Sequence, residues 1–391
     1  MTLRVLINAG PWLPVPPGGY GGIENVVATL IPALRELGVY VVLATVGTSR
    51  IEVDEQLSVF EEPQFRKLQL PYNRVMGVAS AHQQRVAGEL RRRTDLDLVH
   101  DHVEALGPTV LAALGADAPP VLHTLHWDLA KHPELYGGFD GRGRLFVNGV
   151  SESQLARAPH ALRAHSLGHV HLATPLAAGH RPLADKADHL AVLGRITEGK
   201  GQHVAARLAH ENDLRVVLAG PVGPHHTPGE LDRALRTDRM TAQNPDVRYW
   251  LDEVADHVDG DRVRWLGAVG PAARDELLGT ARATVFPLCW EEPGGTAVVE
   301  SLALGTPVVG YRRGCLPELV EHGRTGLLVD PGDEDALAAQ LHAVGSIDPA
   351  ECRREAERRF APSVMAEHYL RLYRTVLANA GMRTWRPVAA S

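Results

Sequence analysis

The sequence predicts an α/β protein made of two doubly wound, Rossmann-like parallel-sheet domains in tandem. Short apolar runs bounded by turn residues alternate with segments of helical periodicity along the chain, which is typical of βαβ units. This pattern restarts after residue 186, which indicates a second sheet. The length of 391 residues suits two domains of ordinary size.

The first domain is predicted at residues 1–175. A buried strand at Leu3–Ala9 precedes a helix at Ile23–Leu37, whose apolar residues recur at helical spacing, and a second strand follows at Val39–Val46. The remaining strands are predicted at Leu96–Asp101, Pro120–His126 and Leu145–Val150, and the remaining helices at Met76–Arg93 and Ser151–His160.

The second domain is predicted at residues 186–361, after an Ala- and Pro-rich linker at Ala173–Lys186 that lacks periodicity. Glu230–Asp259 has the pattern of an insertion with two helices, and Pro362–Ala380 that of a long helix. The segment 362–391, this helix and a tail, is expected to pack back on the first domain. Strands are predicted at Asp188–Leu193, Arg215–Ala219, Arg262–Leu266, Ala283–Pro287 and Pro307–Gly310, and helices at Gly201–Ala209, Pro271–Thr280, Gly295–Leu304 and Asp333–Val344. Two such domains would face a central cleft, lined by the residues that follow the strands.

Composition excludes several classes of protein. The net charge of −7 argues against nucleic acid as the main partner. Cys289, Cys315 and Cys352 are far apart and form no Cys-x-x-Cys pair, so a disulfide framework or a zinc ribbon is disfavoured. The N-terminus lacks the features of a signal peptide and no apolar run is long enough for a membrane span, so the cytoplasm is the expected location.

The most informative motif is WEEPGGTAVVESLALGTPVVG at Trp290–Gly310. A helix is expected to begin after its two glycines, and the free N–H groups at such a start bind anions. Gly294 and Gly295 would let a ligand approach the backbone closely. Glu292 and Glu300 could both face that ligand, binding the hydroxyls of a sugar and a ribose; the alternative is that they are solvated acids, which are favoured near a helix start.

The second motif is LGRITEGKG at Leu193–Gly201, directly after the first strand of the second domain. Arg195 and Lys200 would point towards the cleft there. A planar guanidinium and a compact ammonium group together suit a diphosphate. The alternative is a pair of ordinary surface cations.

The third motif is VPPGGYGGIE at Val15–Glu24, between the first strand and the first helix. It partly matches a dinucleotide fingerprint, but Glu24 occupies the position of the third glycine and the segment is long and Pro-rich. A nicotinamide site is therefore disfavoured.

The fourth motif is HTLHWD at His123–Asp128, at the end of a strand. His123 and His126 are rival candidates for contact with a ligand, and the alternative for each is a buried, satisfied side chain. With His100-x-His102 these residues imitate metal-ligand spacings, but no cysteine supports them and no metal is expected. The Asp-x-Asp pair at residues 95 and 97 is predicted to mark the polar start of a strand.

These motifs resemble those of the retaining glycosyltransferases of family 4, which have the GT-B fold. Glu292 and Glu300 have the spacing of the family's Glu-x7-Glu motif, although Glu-Pro-Gly-Gly stands here where the family usually has Glu-Gly-Phe-Gly. The likeness covers nearly the whole chain and is strongest from Leu190 to Asp330. It is similar in its Gly-rich loop to bacterial members that act in antibiotic or polysaccharide biosynthesis.

The resemblance implies a role for each candidate residue. Glu292 would contact the donor sugar, Glu300 the ribose of the nucleotide, and His126 the sugar near its reacting carbon. Arg195 and Lys200 would hold the pyrophosphate and stabilise the leaving nucleotide. The implied catalytic residues are His126, Glu292, Arg195 and Lys200, and the implied donor-binding residues are Gly21, Gly22, Arg195, Lys200, Glu292, Gly294, Gly295, Thr296 and Glu300.

The implied function is transfer of a sugar from a nucleoside-diphosphate sugar, with a UDP-sugar favoured, to a hydroxyl group of a small molecule or glycan. No metal, cofactor, nucleic acid or transmembrane segment is expected, and antibiotic or other secondary-metabolite biosynthesis is one expected setting. The alternatives are a nucleotide-sugar epimerase or a sugar phosphorylase of the same fold, and a non-catalytic protein that binds nucleotide-sugars.

Overall fold

The computed structural model describes residues 2–19, 21–179 and 181–382. They form two compact units. The first contains the described residues up to Pro175 together with those from Pro362 onward, and the second is Leu176–Ala361. Each unit is built on one sheet whose strand pairs are parallel, so the predicted fold class is confirmed.

The first sheet has seven strands in the order β3-β2-β1-β4-β5-β6-β7. Its central strands are almost entirely buried. Val5 and Ile7 of β1 pack into one apolar core, while Leu6 packs into another, because alternate side chains point to opposite faces. The strands are β1 (Arg4–Asn8), β2 (Tyr40–Thr45), β3 (Glu55–Ser58), β4 (Leu98–Asp101), β5 (Val121–Thr124), β6 (Leu145–Gly149) and β7 (Ser166–His169).

Helices cover both faces of this sheet. The single helix predicted at Ser151–His160 is wrong, because the chain forms two short helices separated by Pro159, whose ring disfavours a helical residue before it. The helices are α1 (Gly22–Glu36), α2 (Tyr72–Arg92), α3 (Leu106–Leu114), α4 (Pro133–Gly137), α5 (Glu152–Ala156) and α6 (His160–Arg163).

The second sheet has six strands in the order β10-β9-β8-β11-β12-β13. The strands are β8 (Leu190–Leu193), β9 (Val216–Ala219), β10 (Val263–Trp265), β11 (Ala283–Phe286), β12 (Val308–Tyr311) and β13 (Gly326–Val329). The helices of this unit are α7 (Gln202–Glu211), α8 (Pro228–Thr237), α9 (Pro245–Tyr249), α10 (Pro271–Thr280), α11 (Thr296–Ala303), α12 (Leu316–Leu319), α13 (Glu334–Ala343) and α14 (Pro349–Phe360).

The segment predicted as an insertion with two helices contains α8 and α9. A π-helical turn at Trp250–Val254 continues α9. The last helix, α15 (Pro362–Asn379), belongs to the first unit and packs against α1. None of the helices in the described ranges combines the length and the apolar character that crossing a bilayer requires.

Each sheet has a point where the strand order reverses direction. In the first sheet this switch point lies between β1 and β4, and in the second between β8 and β11. Ligands of open parallel sheets bind beyond the carboxyl ends of the strands at such points. The candidate residues Gly21, Gly22 and His126 follow strands of the first sheet, and Arg195, Lys200 and Glu292 follow β8 and β11.

Candidate active site

A cavity of about 230 Å³ lies at the switch point of the first sheet. It is lined by residues that follow β1 and β4, by the beginning of α1, and by residues of the segments at 65–68 and 127. Its walls are mainly apolar, and its polar groups are the side chains of Glu24, His102 and Glu104. We call it the first-unit cavity.

The glycine pair beside this cavity serves two purposes. A Cβ atom on Gly22 would meet nothing within 4 Å, so the backbone there is open to a ligand. A Cβ on Gly21 would instead lie 2.8 Å from side-chain atoms of Pro17. Gly21 is therefore required for the packing of its own loop, whereas Gly22 leaves space at the cavity.

The two rival histidines occupy different environments. His123 is fully buried, and its Nδ1 is 2.7 Å from Oδ2 of Asp101, which raises the pKa of the ring against the effect of burial. His126 is half-buried, and its Nε2 is 2.9 Å from Nδ1 of His102. Burial lowers the pKa of His126 to about 3, so this ring is neutral. The geometry favours His126, the more exposed ring, for contact with a ligand.

His100 lies on the face of the first sheet that α15 covers. Its Nδ1 is 2.8 Å from the hydroxyl of Tyr373 and its Nε2 is 2.8 Å from Oγ1 of Thr124. These partners take up both ring nitrogens. The neighbouring Asp-x-Asp pair is also structural, because Asp97 accepts a hydrogen bond from the backbone N–H of Arg4, and Arg93 holds the pKa of Asp95 well below its usual range.

In the second unit, Lys200 and Glu292 form an ion pair at the switch point. The 3₁₀ turn Glu198–Lys200 follows β8, and the loop after β11 supplies Glu292. The ammonium group also lies over the ring of Trp290, 5.4 Å from its centroid. Two residues that sequence reasoning treated separately thus share one site, because the carboxyl ends of parallel strands meet at one edge of a sheet.

Arg195 is paired with a residue that the sequence did not indicate. Its Nη2 donates to Oδ2 of Asp246 at 2.7 Å, and Asp246 comes from α9 in the inserted segment. The Arg195 side chain is about half exposed. A diphosphate bound by Arg195 and Lys200 would therefore have to compete with Asp246 and Glu292 for the two cations.

Glu300, in α11, is held by Arg274 of α10. Nη1 of Arg274 donates to Oε1 of Glu300 at 2.9 Å, and only 12% of the Glu300 side chain is exposed. Burial raises the pKa of Glu300 to about 7, and the charge of Arg274 opposes that rise. Sequence reasoning missed Arg274, because no motif marks a helical arginine whose partner lies 26 residues further along the chain.

Gly295 has a structural role at the start of α11. Its φ is +61°, in the left-handed region that favours glycine, and it caps α11, which begins at Thr296. A Cβ on Gly295 would lie 2.7 Å from Cδ1 of Leu319 and 2.8 Å from Sγ of Cys315. Gly295 therefore allows Leu319 and Cys315 to pack closely against the start of α11, and Gly294 precedes this cap as a buried residue.

Two family models match the chain. The model described as Glycosyltransferase Family 4 matches residues 20–162, and the model described as Glycosyl transferases group 1 matches residues 180–359. A D-inositol 3-phosphate glycosyltransferase of Mycolicibacterium vanbaalenii is 31% identical over 289 residues, which are 66% of this chain and 62% of that protein. The chain thus spans less than two thirds of the length of this relative, and smaller shares of the next ones.

Solved structures show the same architecture. AviGT4, a glycosyltransferase involved in avilamycin A biosynthesis, has a TM-score of 0.63 and 26% identity over 96% of this chain and 98% of its own. Anabaena HepE in complex with UDP-glucose has a TM-score of 0.62 and 16% identity over 95% of this chain and 99% of its own. With the two family models, which together span most of the sequence, these matches lead to one assignment: the chain belongs to the family 4 glycosyltransferases and has their GT-B fold.

Proposed function

We propose that this protein is a retaining glycosyltransferase that moves a sugar from a nucleoside-diphosphate sugar, with a UDP-sugar favoured, to a hydroxyl group of a small molecule or glycan. One observation carries the proposal: Lys200, Arg195 and Glu292 follow the two strands that flank the switch point of the second sheet. Cations and a carboxylate at that edge are the groups that a diphosphate and a sugar require.

The names of similar proteins support the finer parts of the proposal. HepE has been solved with UDP-glucose, and AviGT4 acts in the biosynthesis of avilamycin A. We therefore favour a UDP-sugar as donor and secondary metabolism as the setting. The cytoplasm remains our proposed location.

In the proposed reaction the bond between the anomeric carbon and the diphosphate oxygen breaks, and the acceptor oxygen bonds to that carbon on the same face of the sugar. The departing phosphate takes the proton of the acceptor hydroxyl, so no protein nucleophile is required. Arg195 and Lys200 stabilise the charge that builds on the diphosphate. Preorganised charge of this kind is often the largest catalytic contribution, and it needs no metal ion.

Carboxylates and a neutral ring position the donor. Glu292 accepts hydrogen bonds from sugar hydroxyls, and Glu300, oriented by Arg274, accepts them from the ribose. The neutral ring of His126 can donate a hydrogen bond to the sugar without adding positive charge near the reacting carbon.

Thermal unfolding with UDP, GDP, TDP, ADP and NAD tests the donor site. A nucleotide at about 100 times its dissociation constant adds about 2.7 kcal/mol to the free energy of unfolding, which moves the melting temperature visibly. We expect one nucleoside diphosphate, UDP first, to give the largest shift. A shift with NAD alone, or with none of the five, would contradict the proposal.

Replacing one carboxylate then tests the chemistry. Glu292→Ala is expected to lower turnover strongly while the nucleotide still binds, because this residue is assigned to the sugar. Glu276→Ala, which removes an exposed acid from α10 of the same unit, is the matched control and should leave turnover unchanged. Full turnover in Glu292→Ala would remove Glu292 from the mechanism.

Product analysis separates the alternatives. An epimerase would convert the donor without an acceptor, and a phosphorylase would require free phosphate. A binding protein would retain the donor unchanged with every acceptor offered.

A further inference from the structure

We propose that His102 is a positioning residue that donates a hydrogen bond from its Nδ1–H to Nε2 of His126. The proton of the His126 ring is then held on Nδ1, and the ring donates it in a hydrogen bond to the sugar. This inference rests on the proposed function, because His126 contacts a sugar only if the protein transfers one. Three observations carry it: the plane of the contact, the neutrality of both rings and an unpaired ring nitrogen.

The contact between the two rings has the geometry of an in-plane hydrogen bond. Nδ1 of His102 lies 2.9 Å from Nε2 of His126, and the ring planes differ by only 27°. The ring centroids are 5.2 Å apart, close to the largest separation that this contact permits, so the line between the nitrogens runs along both rings. The N–H bond and the lone pair of an imidazole lie in the ring plane, and this arrangement therefore aligns a donor nitrogen with an acceptor nitrogen.

Both rings are neutral, so the contact joins one N–H group to one bare nitrogen. Burial lowers the pKa of His126 to about 3 and that of His102 well below its usual value. A neutral imidazole carries a single N–H, and the hydrogen bond made at one nitrogen decides which nitrogen holds the proton. Two arrangements are therefore consistent with the contact: either His102 donates and His126 accepts, or His126 donates and His102 accepts.

The second nitrogen of His102 distinguishes these two arrangements. Its Nε2 is buried without a hydrogen-bond partner among the described residues, and the whole residue is 1% exposed. If His126 were the donor, Nε2 of His102 would be an N–H group buried without an acceptor. Buried N–H groups of this kind are rarer in proteins than buried acceptors without a donor. The proton of His102 is therefore assigned to Nδ1, and Nε2 of His126 accepts the hydrogen bond.

The proton of His126 is then on the nitrogen that a ligand can reach. Nδ1 of His126 makes no hydrogen bond within the part of the chain that the structure describes, and, unlike Nε2 of His102, it retains accessible surface. The main chain on either side is fixed separately, because the buried side chain of Gln154 donates to the carbonyls of Leu125 and Trp127 at 3.1 and 2.8 Å. His102 thus sets the orientation and the tautomer of the ring itself. A sugar hydroxyl that accepts from Nδ1–H keeps its own proton to donate to a carboxylate.

Nuclear magnetic resonance measures the tautomer of His126 directly. The full chain is labelled with ¹⁵N-histidine and studied by long-range proton–nitrogen correlation at neutral pH, because protonated and bare ring nitrogens differ widely in chemical shift. The signals of His126 are those that disappear in His126→Gln. We expect Nδ1 to have the shift of a protonated nitrogen and Nε2 that of a bare one. The reverse assignment, or averaged shifts at both nitrogens, would overturn the inference.

Two variants of nearly equal shape test whether His102 sets this tautomer. His102→Asn keeps an N–H group near the position of Nδ1, whereas His102→Leu removes it. The proton of His126 should stay on Nδ1 in the Asn variant and move to Nε2 in the Leu variant. Loss of one hydrogen bond between neutral groups should lower kcat/KM for the donor about fivefold to tenfold in His102→Leu, and less than about twofold in His102→Asn. His160→Leu, at an exposed histidine of the same unit, is the control and should leave the tautomer and kcat/KM unchanged.

Equal values of kcat/KM in the Asn and Leu variants, or an unchanged tautomer in His102→Leu, would contradict the role of His102. If the Leu variant does not fold, His102→Gln gives the same comparison, because its longer side chain carries the amide past the position of Nδ1. The inference and the proposed function can fail separately. If no nucleoside diphosphate stabilises the protein, the proposed function fails whatever the tautomer. If one does and His126 holds its proton on Nε2, only this inference fails.

Discussion

The two units hold their polar side chains in opposite ways. In the first unit, Asp101 and His123 are fully buried, and Asp101 accepts a second short hydrogen bond from Nδ2 of Asn8, at 2.7 Å. In the second unit, the charged pairs at the switch point keep part of their surface in solvent: Lys200 is 27% exposed and Arg195 is 48% exposed.

This difference indicates which groups can change partners. Removing one member of a buried hydrogen-bond network lowers the stability of the protein strongly, because the remaining groups stay desolvated and unpaired. Ion pairs that remain partly exposed contribute less to stability than buried ones and exchange partners more readily. The first unit therefore presents buried groups in fixed pairs, whereas the second presents charges that can leave an internal partner for a phosphate.

The largest expected effect is on stability and comes from Asp101. Asp101→Ala leaves His123 and Asn8 without their acceptor, and removal of one partner from a buried pair costs about 3–5 kcal/mol. Urea unfolding measures the loss. Asp117→Ala, at an exposed aspartate of the same unit, should change the free energy of unfolding by less than about 0.5 kcal/mol. A similarly small change in the free energy of unfolding of both variants would mean that His123 and Asn8 do not depend on Asp101 as their hydrogen-bond acceptor.

The next effect is on activity and comes from Lys200. Lys200→Ala should lower kcat by about 10²–10³-fold, the usual result of removing one group that stabilises charge in a transition state. The free energy of unfolding of this variant should change little, since the ammonium group of Lys200 is partly solvated. Arg236→Ala, which removes an exposed cation from α8, serves as the control. A large loss of stability with little change in kcat would reverse the contrast between the units.

The smallest effect is on pH dependence and comes from His82 in α2. Its Nε2 is 2.7 Å from Oδ1 of Asn8, and burial lowers its pKa to about 4. An unfolded chain binds this proton near pH 6.5, so the contribution of the neutral ring to stability is complete above pH 6.5. It falls as the pH drops towards 4, by about 2 kcal/mol at pH 5.

His82→Gln keeps a donor for Asn8 but does not titrate. Between pH 7 and pH 5 it should lose about 2 kcal/mol less stability than the natural protein. His160→Gln replaces an exposed histidine and should lose as much as the natural protein. Equal losses of stability between pH 7 and pH 5 in the natural protein and in both variants would show that burial of His82 does not govern its protonation.

Periodicity predicted the inner strands of both sheets and the edge strand β10, but it missed the edge strands β3, β7 and β13. β1 and β4 place apolar residues on both faces because helices cover both, and that leaves a clear pattern in the sequence. β3 reads Glu-Gln-Leu-Ser and β7 reads Ser-Leu-Gly-His, both at the edges of the first sheet. These two strands are partly solvated, so their composition does not differ from that of a loop.

The sequence predicted the site residues that directly follow strands. It did not predict the ion-pair partners that the packing of helices brings to the site. Glu292 and Lys200 could be placed at one sheet edge because topology alone brings the ends of β8 and β11 together. Asp246 and Arg274 could not, because each depends on how a helix packs onto that edge. Glu24 was visible only as a departure from a glycine pattern, since acids at a helix start are common.

The position of α15 has a consequence for the folding of this protein during its translation. Its Tyr373 and Tyr369 bond to His100 and Thr124 of the first unit, and its apolar face completes one of that unit's two cores. A ribosome that has made the first 175 residues has therefore not yet made a complete first unit. The second unit is contiguous in sequence and can fold as soon as it emerges. The part of the first unit that precedes the second unit in the chain is thus completed after it, because it depends on α15 for closure.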